Sequence, residues 1–319
     1  MAFYDIFNGD ADGLCSLHQL RLAEPRDAVL VTGTKREIAL LSRVDACAGD
    51  RLTVLDIALD QNRPGLLRAL ESGAHCLYFD HHFPGAIPTH PRLETHIEYA
   101  PDVCTSLIVD AYLGRQFTRW AVTAAFGDNL HDAARRAATP LGLTEIELDS
   151  LRQLGECLNY NAYGDSLADL YFHPADLYRR MQPYSDPLAF VRGDRVFDTL
   201  RSGYAADLAL AQAVAPRVQE LRHWMVVLPD EPWSRRVSGA LANELARLQP
   251  SRAHAVLVSK PEGYSVSVRA PIDAPTGADA LCRKFAAGGG RPAAAGINWL
   301  AAVQLADFER AFRESFCAA

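Results

Sequence analysis

Three of the first four short apolar runs end on acidic residues, and this pattern constrains the chain more than any other feature. The runs are Phe3–Phe7, Ala28–Val31, Leu52–Leu55 and Cys76–Phe79, short and bounded by Gly, Asp or Asn, as buried strands are. Helical patterns separate them at Leu14–Leu22, Glu37–Leu41 and Pro64–Leu70, the last expected to start at Pro64, which suits a first helical turn. Strands alternating with helices need crossover connections and hence a mainly parallel sheet, with Thr95–Tyr99 as a candidate fifth strand. In such a sheet all strands end at one edge, where open α/β sheets bind ligands. Asn8-Gly9-Asp10-Ala11-Asp12-Gly13 follows the first run, Asp56 the third, and Asp80-His81-His82 the fourth.

Up to four carboxylates and two imidazoles would then converge. Like charges that close repel unless cations neutralise them, so the pattern points to metal. Carboxylates with one or two imidazoles and no thiolate suit Mn²⁺, Mg²⁺ or Fe²⁺ better than structural zinc. Gly9 and Gly13 are expected to allow the tight backbone path that brings Asp10 and Asp12 to one side. Taken singly each motif has a plainer explanation: an Asp-x-Asp turn, a helix cap at Asp56, surface histidines. The conjunction at three strand ends favours the metal.

Residues from about 101 to 180 read as almost entirely helical, including Thr105–Tyr112, Trp120–Phe126, His131–Ala138 and Ile146–Leu158. The segment Met181–Pro187, with two prolines, interrupts this periodicity and is expected to mark a domain boundary and a candidate hinge. A long helix from about Asp194 to His223 leads to a second alternating region. Its expected strands are Trp224–Leu228, His254–Ser259, Tyr264–Arg269 and Ala293–Leu300, and its expected helices Arg236–Leu248, Ala278–Phe285 and Asp307–Phe316. The expected fold is α/β: a parallel-sheet domain with a helical second half, plus a smaller C-terminal α/β domain. A length of 319 residues suits two domains.

Lys plus Arg number 32 against 39 for Asp plus Glu, a net charge of -7 that argues against a grip on long nucleic acid. No apolar run approaches the roughly 18 residues of a membrane span, and Met1–Asp12 does not read as a signal peptide. Seven widely spaced cysteines without a C-x-x-C pair fit a reducing cytoplasm and small buried side chains. No P-loop, Rossmann fingerprint or G-x-S-x-G elbow occurs.

With Asp10, Asp12, Asp56 and Asp80-His81-His82 in place, the chain resembles the DHH phosphoesterase superfamily. Asp128, in Phe126-Gly127-Asp128-Asn129, is similar to that family's further aspartate, and Asp165 is its rival. The C-terminal region resembles the DHH-associated domain of RecJ-like nucleases and nano-RNases, through Gly288-Gly289-Gly290-Arg291 and Ser267-Val268-Arg269. The resemblance implies a DHH catalytic domain at 1–190, a helical linker at 191–222 and a substrate-binding domain at 223–319. It implies two Mn²⁺ or Mg²⁺ ions. Asp10 would bind one, Asp12 the other, Asp56 would bridge them, and His81 with Asp128 would complete the second site. His82 would face the scissile phosphate, and Asp80 would orient a ligand imidazole. Gly288, Gly289 and Gly290 would cradle a phosphate through backbone N–H groups, flanked by Arg269 and Arg291.

Two positions depart from the pattern. Ile6 stands where many relatives carry histidine, with Asn8 as a substitute oxygen donor, and Arg291 stands where many carry histidine after the glycines. Lys35 and Arg36 follow the second strand on the same edge; a helix-start role is expected for them, with substrate contact as the alternative. Arg235, Arg236, Arg283 and Lys284 read as charged helix faces, and Thr105-Ser106 as a helix start beside the site.

The implied function is hydrolysis of a small nucleotide-type phosphoester by metal-activated water: a short oligonucleotide, a cyclic dinucleotide or a nucleoside bisphosphate. An inorganic pyrophosphatase or polyphosphatase, and a catalytically weak nucleotide sensor, are the alternatives. No membrane or long nucleic-acid partner is expected.

Overall fold

A computed structural model of the chain describes residues 1–317. It divides into two compact units, Met1–Ser202 and the residues from Gly203 onwards.

The first unit begins with β1 (Phe3–Phe7), α1 (Ala11–Ala23), β2 (Val29–Val31), β3 (Arg51–Leu55), α2 (Leu59–Glu71), β4 (His75–Asp80) and β5 (Leu93–Ile97). All five strands are parallel, in the order β2-β1-β3-β4-β5. The chain moves outward one way from β1 to β2 and the other way from β3 to β5, so the topological switch point lies between β1 and β3. Side chains alternate between the two faces, as the two-residue period of a strand requires. Ile6, Val54 and Tyr78 join the core under α2, while Phe7, Leu55 and Phe79 join the larger helical core.

That larger core is built by α1 with α3 (Thr105–Tyr112), α4 (Thr118–Gly127), α5 (His131–Ala138), α6 (Glu145–Ala162), α7 (Pro174–Met181) and α8 (Pro187–Gly193). Helices α4 and α6 approach until a β-carbon on Gly155 would lie 2.0 Å from the Thr123 carbonyl oxygen. Five of the seven cysteines are buried (Cys15, Cys76, Cys104, Cys157 and Cys282), as their apolar character favours.

Helix α9 (Arg195–Gln212) runs from the first unit into the second. The second unit then adds β6 (Val218–Gln219), β7 (His223–Leu228), α10 (Pro232–Leu248), β8 (Ala253–Lys260), β9 (Gly263–Arg269), α11 (Ala278–Cys282), β10 (Gly288–Gly290), β11 (Ala294–Ala301) and α12 (Leu305–Ser315). Its sheet has the order β10-β11-β9-β8-β7-β6, with β7 and β8 parallel and the other neighbours antiparallel. Along β8, Val256 and Val258 face a core with α10, while Ala255 and Leu257 face a core with Phe308 and Phe312 of α12.

Five expectations need correction. The helix expected at Glu37–Leu41 is a single 3₁₀ turn at Leu40–Arg43. Asn62 supplies the reason: its amide donates to the Ile38 carbonyl and accepts from the Leu41 N–H, so tertiary bonds take the groups an α-helix would pair. Helix α2 starts at Leu59, and Pro64 lies inside it, because burial of Leu59 and Asn62 recruits the preceding turn. The long helix stops at Gln212 and not near His223, since Pro216 lacks an N–H and disfavours helical geometry just before it. The fifth strand is Leu93–Ile97, two residues earlier than expected, in register with Cys76–Asp80. The glycines Gly288–Gly290, expected to offer backbone N–H groups to a phosphate, form an edge strand paired with β11, and the Gly288 N–H donates to the Phe285 carbonyl.

Candidate metal centre

Four acidic segments reach the carboxyl edge of the first sheet, and those after β1 and β3 flank the switch point. Asp10 is the N-cap of α1: its Oδ1 accepts from the backbone N–H groups of Asp12 and Gly13, each at 3.1 Å. Its Oδ2 lies 2.5 Å from the Lys35 ammonium. Glycine is needed at positions 9 and 13 for a different reason from the one expected. Neither has a positive φ. A β-carbon on Gly9 would lie 2.1 Å from the Gly33 carbonyl oxygen, and one on Gly13 would lie 2.1 Å from that of Asn8.

Two residues past Asp10, Asp12 is fully buried and reaches across to α3. Its Oδ1 accepts from Ser106 N–H at 2.7 Å and its Oδ2 from Thr105 N–H at 2.8 Å. It thereby satisfies donors at the start of α3, where Cys104 provides no side-chain cap. Burial, with the charge of Asp128 behind it, pushes its pKa up to about 6.

Asp56 follows β3 with φ 59, in the left-handed region. For a residue with a β-carbon this is strain, of the kind the surroundings must impose. Its N–H donates to the Phe79 carbonyl, and the Thr105 hydroxyl donates to its Oδ1 at 3.1 Å. Burial, then Asp12 and Asp10, raise its pKa well above the carboxylate range.

His81 gathers the set. Its Nδ1 faces the Val103 carbonyl at 3.0 Å, which places the proton there and leaves the Nε2 lone pair free. That Nε2 lies 3.4 Å from Asp56 Oδ1, 3.7 Å from Asp128 Oδ2 and 4.0 Å from Asp12 Oδ2. A cation bound about 2.1 Å from each ligand spaces neighbouring ligands about 3.0–3.4 Å apart, close to this arrangement. Without a cation, a lone pair and three carboxylates would face one another in a buried site. The donor set therefore fits a divalent ion: Asp12, His81 and Asp128 bring ligand atoms within 4.8 Å of one another, and so do Asp56, His81 and His82.

Asp80 differs from expectation. Its Oδ1 accepts from the His81 backbone N–H and lies 2.7 Å from Nδ1 of His82, so the imidazole it orients is that of His82. The His81 ring is oriented by Val103 instead. Burial disfavours a charged His82, but the hydrogen bond and charge of Asp80 outweigh it and raise the His82 pKa.

Lys35 was expected to start a helix; its side chain instead enters the cluster. Its Nζ contacts Asp10 Oδ2, Asn159 Oδ1 at 3.0 Å and Asp128 Oδ1 at 3.3 Å. Burial opposes its charge, but Asp10 and Asp128 raise its pKa well above the usual range. The signal for Lys35 was its place just past β2 on the ligand-binding edge. Asn159, on α6, carried no sequence signal. The rival Asp165 pairs with Arg36 at 3.2 Å. Ile6 is fully buried in the core under α2 and supplies no ligand.

The remaining candidates lie in the second unit. Arg269 is partly buried, and its Nε donates to Asn243 at 2.7 Å. Gly290 has φ 141, and Arg291 is exposed at the turn into β11. Arg236 pairs with Asp207, Arg235 with Asp230 and Arg283 with Asp279, as charged helix faces do.

A parallel sheet whose switch point carries carboxylates and an imidazole, followed by a mixed-sheet unit, is the fold expected from the DHH resemblance, and solved phosphodiesterase and RecJ structures share it. It is similar over 99% of its length to the pGpG-specific phosphodiesterase PggH from Vibrio cholerae, covering 99% of that chain at 13% identity with a TM-score of 0.59. RecJ from Thermus thermophilus, solved in complex with Mn²⁺, aligns with 99% of the chain at 17% identity and a TM-score of 0.56; the match spans 52% of RecJ. An exopolyphosphatase-related protein from Bacteroides fragilis aligns over 99% of this chain and 91% of its own, at 12% identity with a TM-score of 0.50. No family model and no curated protein sequence matches the chain. No helix among the described residues is long and apolar enough to cross a membrane.

Proposed function

We propose that the chain is a divalent-cation-dependent phosphoesterase acting on a small nucleotide-type phosphoester. The observation that carries this reading is the approach of Asp12, Asp56 and Asp128 to the free Nε2 of His81. When bound there, a Mn²⁺ or Mg²⁺ ion supplies Lewis acidity, which makes water a nucleophile near neutral pH and offsets charge on a phosphoryl group. Of the fold's solved relatives, one is a pGpG-specific phosphodiesterase and one a RecJ in complex with Mn²⁺, which supports the same reading.

The chain's own residues supply the proton chemistry. Asp80 holds the Nδ1 proton of His82, so that Nε2 is the reacting nitrogen. With its pKa raised, His82 is charged further into the neutral range and donates the Nε2 proton to the leaving oxygen. Its side chain is 42% exposed, which gives substrate access to it.

A nucleotide is favoured over inorganic polyphosphate by Phe83 and Tyr99. They are 70% and 62% exposed and pack edge to face at 5.7 Å; Phe83 directly follows His82, and Tyr99 lies two residues past the end of β5. Exposed aromatics beside a phosphate site offer a stacking face for a base. In the second unit, Gly288–Gly290, Arg269 and Arg291 are the groups proposed to bind a phosphate.

The test is a Mn²⁺-supplemented screen over dinucleotides, cyclic dinucleotides, nucleoside bisphosphates and pyrophosphate. Turnover of a nucleotide, lost in Asp56→Ala and His81→Ala, supports the reading. Faster hydrolysis of pyrophosphate than of any nucleotide favours the pyrophosphatase alternative, and nucleotide binding without turnover favours the sensor.

A further inference from the structure

We propose that the Lys35 ammonium occupies the position of one of the two cations expected at this centre, so that the chain binds a single divalent ion. The proposal rests on the metal-dependent reading above and changes its ion count. An ammonium has three N–H donors and no acceptor. Those of Lys35 meet three oxygens: Asp10 Oδ2 at 2.5 Å, Asn159 Oδ1 at 3.0 Å and Asp128 Oδ1 at 3.3 Å. Three oxygens converging on one compact positive charge is also what a metal would receive.

The surroundings hold this arrangement. The Lys35 backbone N–H donates to the Ala162 carbonyl at the end of α6, and Nζ lies 5.7 Å from the centroid of the Tyr163 ring. Both oxygens of Asp10 are engaged, Oδ1 by the two N–H groups of α1 and Oδ2 by Lys35, so a metal at Oδ2 would compete with the ammonium. Ile6 contributes only hydrocarbon. Asp128 is shared, with Oδ1 toward Lys35 and Oδ2 toward His81 Nε2. Two candidate ligand groups remain, Asp12 with His81 and Asp128, and Asp56 with His81 and His82; both need His81, whose Nδ1 faces Val103, so its Nε2 can serve one ion only. A second divalent ion would have to displace the ammonium from Asp10 or sit against a like charge.

The experiment compares the full chain with Lys35→Met and Lys35→Gln, which shorten the side chain by one atom and lose its charge. Bound Mn²⁺ is counted by elemental analysis after gel filtration, and pairing of ions is read from the low-temperature Mn²⁺ spin-resonance spectrum. One Mn²⁺ per wild-type chain with an uncoupled spectrum is expected. Both variants are expected to take up two ions with a spin-coupled spectrum. Two coupled ions in the wild type would overturn this proposal and leave the phosphoesterase reading standing. No Mn²⁺ in the wild type would overturn both. Should the variants not fold, Asp10→Asn decides: an unchanged single ion supports the proposal, and loss of an ion from the wild-type count overturns it.

Discussion

Nδ1 of His82 and Oδ1 of Asp80 are 2.7 Å apart, and Asp80 is fully buried while the His82 ring is partly open to solvent. The pair resembles an oriented acid–base dyad more than a ligand and its support. Asp80→Asn is expected to reduce kcat by about 10–100-fold while Mn²⁺ affinity stays within a few fold. The carboxylate also raises the His82 pKa, so activity that needs protonated His82 is lost as pH rises through that value. Without the carboxylate the alkaline limb moves to lower pH. A pH–rate profile of wild type and variant reads both effects, and an unmoved limb would remove His82 as the acid.

Asp56 combines a left-handed backbone with a buried carboxylate crowded by Asp12 and Asp10. Asparagine tolerates this backbone and carries no charge. Asp56→Asn is therefore expected to raise the melting temperature of the metal-free protein, by about 4 °C for relief of one or two kcal/mol. It is also expected to abolish stabilisation by added Mn²⁺. Thermal melts with and without Mn²⁺ test this. A destabilised metal-free variant would mean that the carboxylate is not under electrostatic stress.

Loss of a base-stacking face should affect binding of nucleotides alone. Phe83→Ala is expected to raise KM for a dinucleotide about tenfold, the cost of one stacking contact, with kcat little changed. Hydrolysis of pyrophosphate, if any, should be unaffected. Equal effects on both substrates would show that Phe83 acts through the site's structure.

His18 lies away from this chemistry, packed against Trp120 at 4.6 Å with its Nε2 at 2.8 Å from the Tyr184 carbonyl. Burial lowers its pKa to about 4. Between an ordinary value of about 6.5 and the folded value, the unfolded chain binds more protons, so stability falls as pH drops through this window. The slope is about 1.4 kcal/mol per pH unit. In His18→Phe this contribution should disappear, which urea unfolding at pH 7, 6 and 5 measures. An unchanged slope would assign the acid sensitivity elsewhere.

Much of the first sheet was legible because a strand's apolar run and its two-residue period are local. Four of its five strands lie within a residue of the expected ends, and the acidic strand ends follow directly. Asp128 was legible only through resemblance, since nothing local distinguishes a helix-terminal aspartate. The second unit was legible as alternating elements, but the edge pairing of Gly288–Gly290 was not, because glycines carry no side-chain pattern to reveal a strand.

The sequence by itself determined which residue types stand at the ends of β1, β3 and β4, since alternation and crossover connections put those ends on one edge. Only the tertiary structure decided what those residues do to one another. Lys35 lies in a segment without regular structure, and its place in the cluster depends on Ala162 and Asn159, more than a hundred residues away. Val103, 22 residues from the His81 it orients, and the α3 N–H groups, 93 and 94 residues from the Asp12 they anchor, are likewise brought in by packing. A backbone carbonyl or N–H leaves no mark in the sequence, and a charge finds its partner only once packing has brought distant segments together.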